Sequence, residues 1–356
     1  MTVHVHAFRM QSGLQIGVLA LSAPERINAQ NLAMVRQMCK ALQEWQTQDD
    51  VVGLVLLGAG ERGFCAGGDL KALYQAMDDP SQLASGEAFF AEEYALCAAI
   101  RVYPKPVLAW GHGIVMGGGW GLFAAASHRV VTPTSQLAMP ETAIGLFPDV
   151  AASWWLPTMA GCGEFLALSG SAINASDAIW CGAAQWALAD DMRHRLIADL
   201  LTLPWQTADS AHALLSEYLA THAQPLAEGN LARHAEDLRV VGEGDLFDAV
   251  ARCAAGARSD DAYLRQAAQR IQAASPTSLW LAWTLQQRCK QATLAQTVAL
   301  ETQLSAVCLR YGDFKAGIAA KLMTRGSAPQ WRVSEVAELD FADLSATFPM
   351  LFAEFI

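Results

Sequence analysis

Positive charge is scarce in this 356-residue chain and nowhere clustered: 24 Lys and Arg stand against 35 Asp and Glu, a formal net charge of −11, and no basic run occurs. That speaks against nucleic acid as a main partner, because neutralising phosphates takes clustered cations. Metal signatures are missing too. The eight cysteines, at 39, 65, 97, 162, 181, 253, 289 and 308, form no C-x-x-C pair and no Cys/His pattern of zinc spacing. They read as reduced, mostly buried thiols in a cytoplasmic setting, and no metal or redox cofactor is implied. The first residues, MTVHVHAFRM, have neither an apolar signal core nor an Arg/Ser-rich amphipathic pattern. The longest apolar stretch, residues 113–126, is studded with glycine and shorter than the roughly 20 residues of a spanning helix. The chain reads as soluble, without a membrane partner.

What is abundant is core-forming material. Hydrophobic residues make up 53% of the chain and charged ones only 17%, against the usual quarter or so for the latter. That is enough for one large domain or two ordinary ones. An acidic average leaves room for an anionic ligand, since oriented backbone N–H groups in a pocket can oppose the mean field.

Residues 14–21 (LQIGVLAL), 51–57 (VVGLVLL) and 107–110 (VLAW) read as strands apolar on both faces. Helices are expected after Asn31, a good N-cap, and over 69–77 and 85–103. Strands of this kind alternating with helices indicate an α/β protein with covered sheets. From about residue 205 helical periodicity takes over, as in PWQTADSAHALL and ATLAQTVALETQLSAVCL. The expected division is a core over 1–205 and a helical C-terminal region over 206–356.

Three stretches carry candidate chemistry. Phe64-Cys65-Ala66-Gly67-Gly68-Asp69-Leu70 lies where a buried strand gives way to a helix. A Gly pair there permits backbone conformations closed to other residues and leaves N–H groups facing a ligand near a helix start. A plain tight turn is the competing reading. Met116-Gly117-Gly118-Gly119-Trp120-Gly121 again follows an apolar strand. Three glycines cost roughly 1 kcal/mol each inside a helix, so they suit a helix start set against a ligand or another backbone. Two such turns in one chain tip the balance towards a paired oxyanion site. Third, Glu141 and Asp149 stand eight positions apart in the apolar run MPETAIGLFPDV. Such carboxylates are seldom buried unless paired or functional; a positioned base and a structural hydrogen-bond acceptor are equally open.

These stretches, in this order, resemble the crotonase (enoyl-CoA hydratase/isomerase) superfamily. Within it, ERGFCAGGDLKALY, FFAEEYALCAAI, HGIVMGGGWGL, AMPETAIGLFPDV and the late CLRYGDFKAGIAAKL and SAPQW are similar to the group that hydrolyses short 3-hydroxyacyl-CoA thioesters. The similarity runs from about residue 14 to 342. It implies a spiral of ββα turns with two roughly perpendicular sheets, followed by a helical C-terminal region. It also implies an acyl-CoA substrate, 3-hydroxyisobutyryl-CoA first among them, cleaved to the free acid and CoA. Carried over by position, the oxyanion donors are the backbone N–H groups of Gly68 and Gly118, with Gly67 and Gly117 beside the substrate. Glu141 is the catalytic carboxylate, Asp149 the second acid, and Glu93 a further substrate contact. Arg26 and Lys71 are candidate contacts to the CoA phosphates or pantetheine arm.

Hydratases of the superfamily place a second glutamate just after the glycine triplet, where this chain has Gly121. That favours hydrolase over hydratase or isomerase; a CoA-ester binding module is the non-enzymatic alternative. After Asp149-Val150 the hydrolase group typically has a glycine run, whereas here Ala151-Ala152-Ser153-Trp154-Trp155 follows, and this opens the question of acyl preference. His112 reads as a strand-end structural residue, Cys65 as a small buried thiol and Ser153 as no nucleophile. His128-Arg129 is expected to end a helix. The superfamily favours trimers and hexamers, so a homo-oligomer is implied unless the C-terminal helices cover the same surfaces.

Overall fold

A computed structural model describes residues 1–206, 208–323 and 327–353; residues 207, 324–326 and 354–356 of the expected C-terminal region lie outside this description. The contacts gather the chain into two compact units, each drawn from three segments: Met1–Gly68, Ala95–Leu137 and Ile173–Gly229 in the first, and Asp69–Tyr94, Ala138–Ala172 and Asn230–Ile356 in the second.

The strands are β1 (Thr2–Arg9), β2 (Gln15–Ser22), β3 (Val51–Gly58), β4 (Gly63–Cys65), β5 (Val107–Gly111), β6 (Ile114–Met116), β7 (His128–Val131), β8 (Gln136–Ala138), β9 (Ile173–Asn174) and β10 (Trp186–Ala187). Six form one sheet in the order β1-β2-β3-β5-β7-β10, antiparallel at the β1–β2 hairpin and parallel beyond it. The other four form a second sheet, β4-β6-β8-β9. The three apolar segments expected as strands are β2, β3 and β5, and their two-sided hydrophobicity has a cause. Ile16, Val18, Val55, Leu108 and Val130 pack into one buried cluster with Leu196, Leu200, Trp205, Leu215 and Leu219 from the helical stretch after β10. The helix Leu32–Gln46, capped by Asn31 Oδ1 accepting the Met34 N–H at 2.9 Å, buries Met34, Val35, Met38, Leu42 and Trp45 along one stripe.

His128-Arg129 departs from expectation. The helix Gly118–Ala125 ends earlier, and His128 opens β7. Arg129 still serves the chain reversal, donating to the Ala126 carbonyl at 2.9 Å. His128 is no dipole cation: burial first, with Arg129 nearby, lowers its pKa to about 4.

The second unit is built of helices, among them Leu70–Asp78, Gly163–Ser169, Ala262–Ala273, Pro276–Cys289 and Leu294–Arg310. The helices expected over 69–77 and 85–103 are Leu70–Asp78 and Leu83–Arg101. No helix among the described residues is long and apolar enough to cross a membrane. Seven of the eight cysteines are buried.

One side chain organises the approach to the first glycine turn. Asn28, in the left-handed region with φ 51–55 together with Ile27, is buried and accepts the Ala23 N–H at 3.0 Å. Its Nδ2 faces the carbonyls of Ala59, Gly63 and Phe64 at 2.9, 3.0 and 3.2 Å. The segment after it then runs beside the glycine loop, with Ala66 N–H on Ile27 O at 2.9 Å and Gln30 N–H on Gly67 O at 2.7 Å. Asn28→Ala leaves buried groups of three segments without partners and should cost about 2–4 kcal/mol. Urea unfolding checks this: the midpoint falls while the slope is unchanged.

Candidate active site

In the first unit the two glycine turns meet. Gly67 has φ +96°, and a Cβ there would stand 3.1 Å from the Met116 carbonyl and 3.4 Å from the Gly118 nitrogen. Gly117, with φ 55° and ψ −129°, precedes the helix Gly118–Ala125 in a conformation that side chains avoid. Gly119 answers a different need, since a Cβ on it would overlap the Cys65 carbonyl. The triplet thus combines a backbone reversal, a helix start and a close strand contact. Among the described residues, neither the Gly68 nor the Gly118 N–H takes part in a turn or ladder hydrogen bond. Gly118 is the first residue of its helix, where N–H groups lack an intrahelical partner and the dipole favours negative charge.

Cys65 is buried, with Sγ 3.2 Å from the Asn28 carbonyl. His112 Nε2 lies 2.9 Å from Gly60 O and 2.7 Å from Arg193. Burial and the Arg193 charge lower its pKa, in keeping with a structural place at the end of β5. Arg26, closing the short turn Pro24–Arg26, and Lys71, in the first turn of Leu70–Asp78, are both exposed.

The second unit gathers carboxyl groups. Glu93, Glu141 and Asp149 are 2%, 5% and 4% exposed, and a fourth, Glu301, is fully buried. Burial, reinforced by the Asp149 charge, holds Glu141 and Glu93 well above the usual carboxylate range. Asp149 is pushed by burial to about 6, although its Oδ2 accepts the Tyr94 hydroxyl at 2.8 Å, which works the other way. Glu141 Oε2 has no partner among the described residues. A buried carboxylate oxygen without a donor is costly, and such atoms cluster where a ligand or proton is handled.

Glu141 is held by its backbone. It opens the 3-10 turn Glu141–Ile144, which Gly145 closes with φ 78° and an N–H to the Glu141 carbonyl. Ser275 donates its N–H to Thr142 O at 3.0 Å. Side chains at Gly145 or Gly317 would overlap the backbone of Asp313 or Ile144 respectively. Asp313 is in turn anchored, accepting from Ser275 Oγ at 2.6 Å and Arg332 N–H at 2.9 Å. The late GDFKAGIAAKL run therefore backs the turn that carries Glu141.

Two residues of this cluster escape a sequence reading. Tyr94 follows Glu93 in FFAEEY, and its signal is chemical: a fully buried tyrosine hydroxyl needs a partner. Glu301 sits on the buried stripe of Leu294–Arg310 with Thr297, Leu300, Leu304, Ser305 and Cys308, so its helical register was the available clue. It accepts the N–H groups of Ala151 at 2.6 Å and Ser153 at 3.2 Å.

Residues 16–348 match the sequence profile of the family described as enoyl-CoA hydratase/isomerase. Proteins of Rattus norvegicus and Homo sapiens named 3-hydroxyisobutyryl-CoA hydrolase, mitochondrial, are 32% and 31% identical over 338 and 340 residues, covering 94% of this chain and 86% of each relative. Among solved structures, a carnitinyl-CoA dehydratase from Mycobacterium thermoresistibile is similar with a TM-score of 0.83 at 33% identity, covering 97% of this chain and 96% of its own. An enoyl-CoA hydratase from Rhodobacter sphaeroides 2.4.1 gives 0.83 at 28% identity with the same coverage. The mixed α/β architecture of two sheets and a helical C-terminal region is that of the crotonase fold.

The raised pKa of Glu141 has a consequence for stability. A carboxyl that keeps its proton longer folded than unfolded contributes fully below about 4.3, its unfolded value, and loses that contribution as pH rises through the folded value. Glu141→Gln should therefore melt higher than the wild type at pH 8, by about 2–4 °C for each kcal/mol of relieved burial. The difference should shrink towards pH 4. Thermal melts across that range check it; an equal or lower melting temperature at pH 8 contradicts it.

Proposed function

Because this chain belongs to the enoyl-CoA hydratase/isomerase family, we propose that it hydrolyses a short-chain 3-hydroxyacyl-CoA thioester, with 3-hydroxyisobutyryl-CoA as the preferred substrate. The observation that carries the reading is Glu141, buried, high in pKa and with one oxygen unpartnered. Relatives covering 94% of the chain are named as hydrolases of that thioester, and Gly121 stands where a hydratase would need its second acid.

In the proposed reaction, negative charge builds on the thioester oxygen as the tetrahedral intermediate forms. The N–H groups of Gly68 and Gly118 are assigned to that oxygen; a single such donor is worth about 3–4 kcal/mol of barrier elsewhere. Glu141 takes the proton of the attacking water, the C–S bond then breaks, and the proton passes to the departing CoA thiolate. The ionised form of Glu141 is the reacting base, and a raised pKa makes that form a stronger proton acceptor than an ordinary carboxylate. Direct attack by Glu141 gives the same products through a mixed anhydride that water opens. Single turnover in ¹⁸O-water separates the routes, since only the anhydride leaves label in Glu141. Asp149 orients Glu141, the water or the substrate hydroxyl, and Glu93 contacts the acyl group. Arg26 and Lys71 remain proposed CoA contacts, and no metal or redox cofactor is assigned. Cytoplasmic placement and a homo-oligomer belong to the same proposal.

Free CoA-SH and enoyl absorbance, followed separately with 3-hydroxyisobutyryl-CoA and crotonyl-CoA, test the reading. Thiol release from the first supports it. Loss of the enoyl band without thiol points to a hydratase, as the names of the similar solved structures carry, and binding without either reaction points to a module. Glu141→Gln should slow thiol release by roughly 10²–10⁴-fold, and unchanged release would sink the mechanism.

Asp149→Asn should lower kcat and also shift the acid limb of the rate profile. Removing the negative charge beside Glu141 favours its ionised form and lowers its pKa. The limb therefore moves to lower pH. Full turnover with an unmoved limb contradicts the role given to Asp149.

A further inference from the structure

Directly after Asp149 the backbone does something unusual. Val150 and Ala151 both have positive φ, 51° and 62°, a region that β-branched residues in particular avoid. Two consecutive residues of this kind persist only where their surroundings over-determine them. The short helix Ala152–Trp155 supplies some of that, with Ala152 N–H on Asp149 O at 2.8 Å and Trp154 and Trp155 N–H groups on Ala151 O at 2.9 and 3.2 Å. The Trp155 indole N–H also donates to the Val150 carbonyl at 3.3 Å, and a further tie reaches across 150 residues of chain. Glu301 accepts the Ala151 N–H on one carboxylate oxygen and the Ser153 N–H on the other.

The geometry points to Glu301 as a positioning residue: its carboxyl group braces the left-handed Val150–Ala151 turn and thereby holds Asp149 on the Tyr94 hydroxyl. A carboxyl group fits because each of its two oxygens can accept one of the N–H bonds. A glutamine in its place turns an NH₂ group towards one of the two N–H donors. Burial raises Glu301 to about 8, and hydrogen bonding from Ser153 and Ala151 opposes that rise. Glu301 needs no contact with substrate for this role. Its effect on Asp149 passes through two residues of strained backbone.

The strain supplies the test. Glycine adopts positive φ freely, so a glycine at 151 reduces the need for the brace. Three full-length variants are compared with the wild type: Glu301→Gln, Ala151→Gly and the double variant. Amide hydrogen exchange over residues 148–155 reads the brace directly, and Glu301→Gln should exchange about tenfold faster or more there. Thiol release from 3-hydroxyisobutyryl-CoA reads the positioning, an arm that rests on the thioesterase reading. Glu301→Gln should lose about 10²-fold in kcat, the cost of misplacing a reacting group by roughly an ångström, with KM held within about twofold. Ala151→Gly should stay near the wild type, and the double variant should regain most of the lost kcat. Unchanged exchange in Glu301→Gln overturns the brace. A kcat loss that Ala151→Gly leaves uncorrected overturns the positioning role. If the wild type releases no thiol, the thioesterase reading fails, and the exchange arm alone decides the brace. Should Glu301→Gln not fold, Glu301→Asp, shorter by one methylene, takes its place under the same criteria.

Discussion

Burying four carboxyl groups is the constraint on which the second unit depends. Glu93, Glu141, Asp149 and Glu301 are taken out of water, and burial raises the pKa of each. A charge in such surroundings is expensive, and the usual outcome is that the group holds a proton. The surrounding structure limits the cost with neutral donors. Tyr94 serves Asp149 through its hydroxyl, and Ala151 and Ser153 serve Glu301 through their backbone. Among the described residues, Glu141 Oε2 has no donor, so the expense falls on the group proposed to handle the proton.

The first unit meets a complementary demand with backbone alone. Its glycine turns need φ values and close approaches that exclude side chains, and they leave N–H groups of Gly68 and Gly118 outside the ladder and turn hydrogen bonds. Negative charge developing on a thioester oxygen would suit such donors, while buried carboxylates would repel it. Each unit uses its own device: backbone reversals after β4 and β6 in the first, and a 3-10 turn carrying Glu141 in the second.

Local features were legible in the sequence, and tertiary ones were not. The three apolar strands, the Asn31 cap and both glycine turns announce themselves within a few residues, because the physics that makes them is local. Strands as short as β9 and β10 carry no usable periodicity, and the hairpin strand β1, with His and Val alternating, is half-exposed at the sheet edge. His128-Arg129 followed a helical run closely enough to suggest its end, but sheet pairing with Leu108 and Ala109 took these residues instead. Glu141, Asp149 and Glu93 were nameable from apolar context and family resemblance. Tyr94 and Glu301 were not, since nothing near Glu301 in sequence shows that Ala151 and Ser153 lie against it.

Everything proposed for this site rests on Glu141 keeping its proton far longer than an ordinary glutamate. Carbon-13 NMR of protein labelled at glutamate Cδ, titrated from pH 4 to 9, measures this directly, with Glu141→Gln identifying the resonance. That resonance should titrate well above the ordinary value of about 4.3 and move to lower pH when Asp149 is replaced by Asn. A midpoint near the ordinary value, insensitive to Asp149, would contradict it.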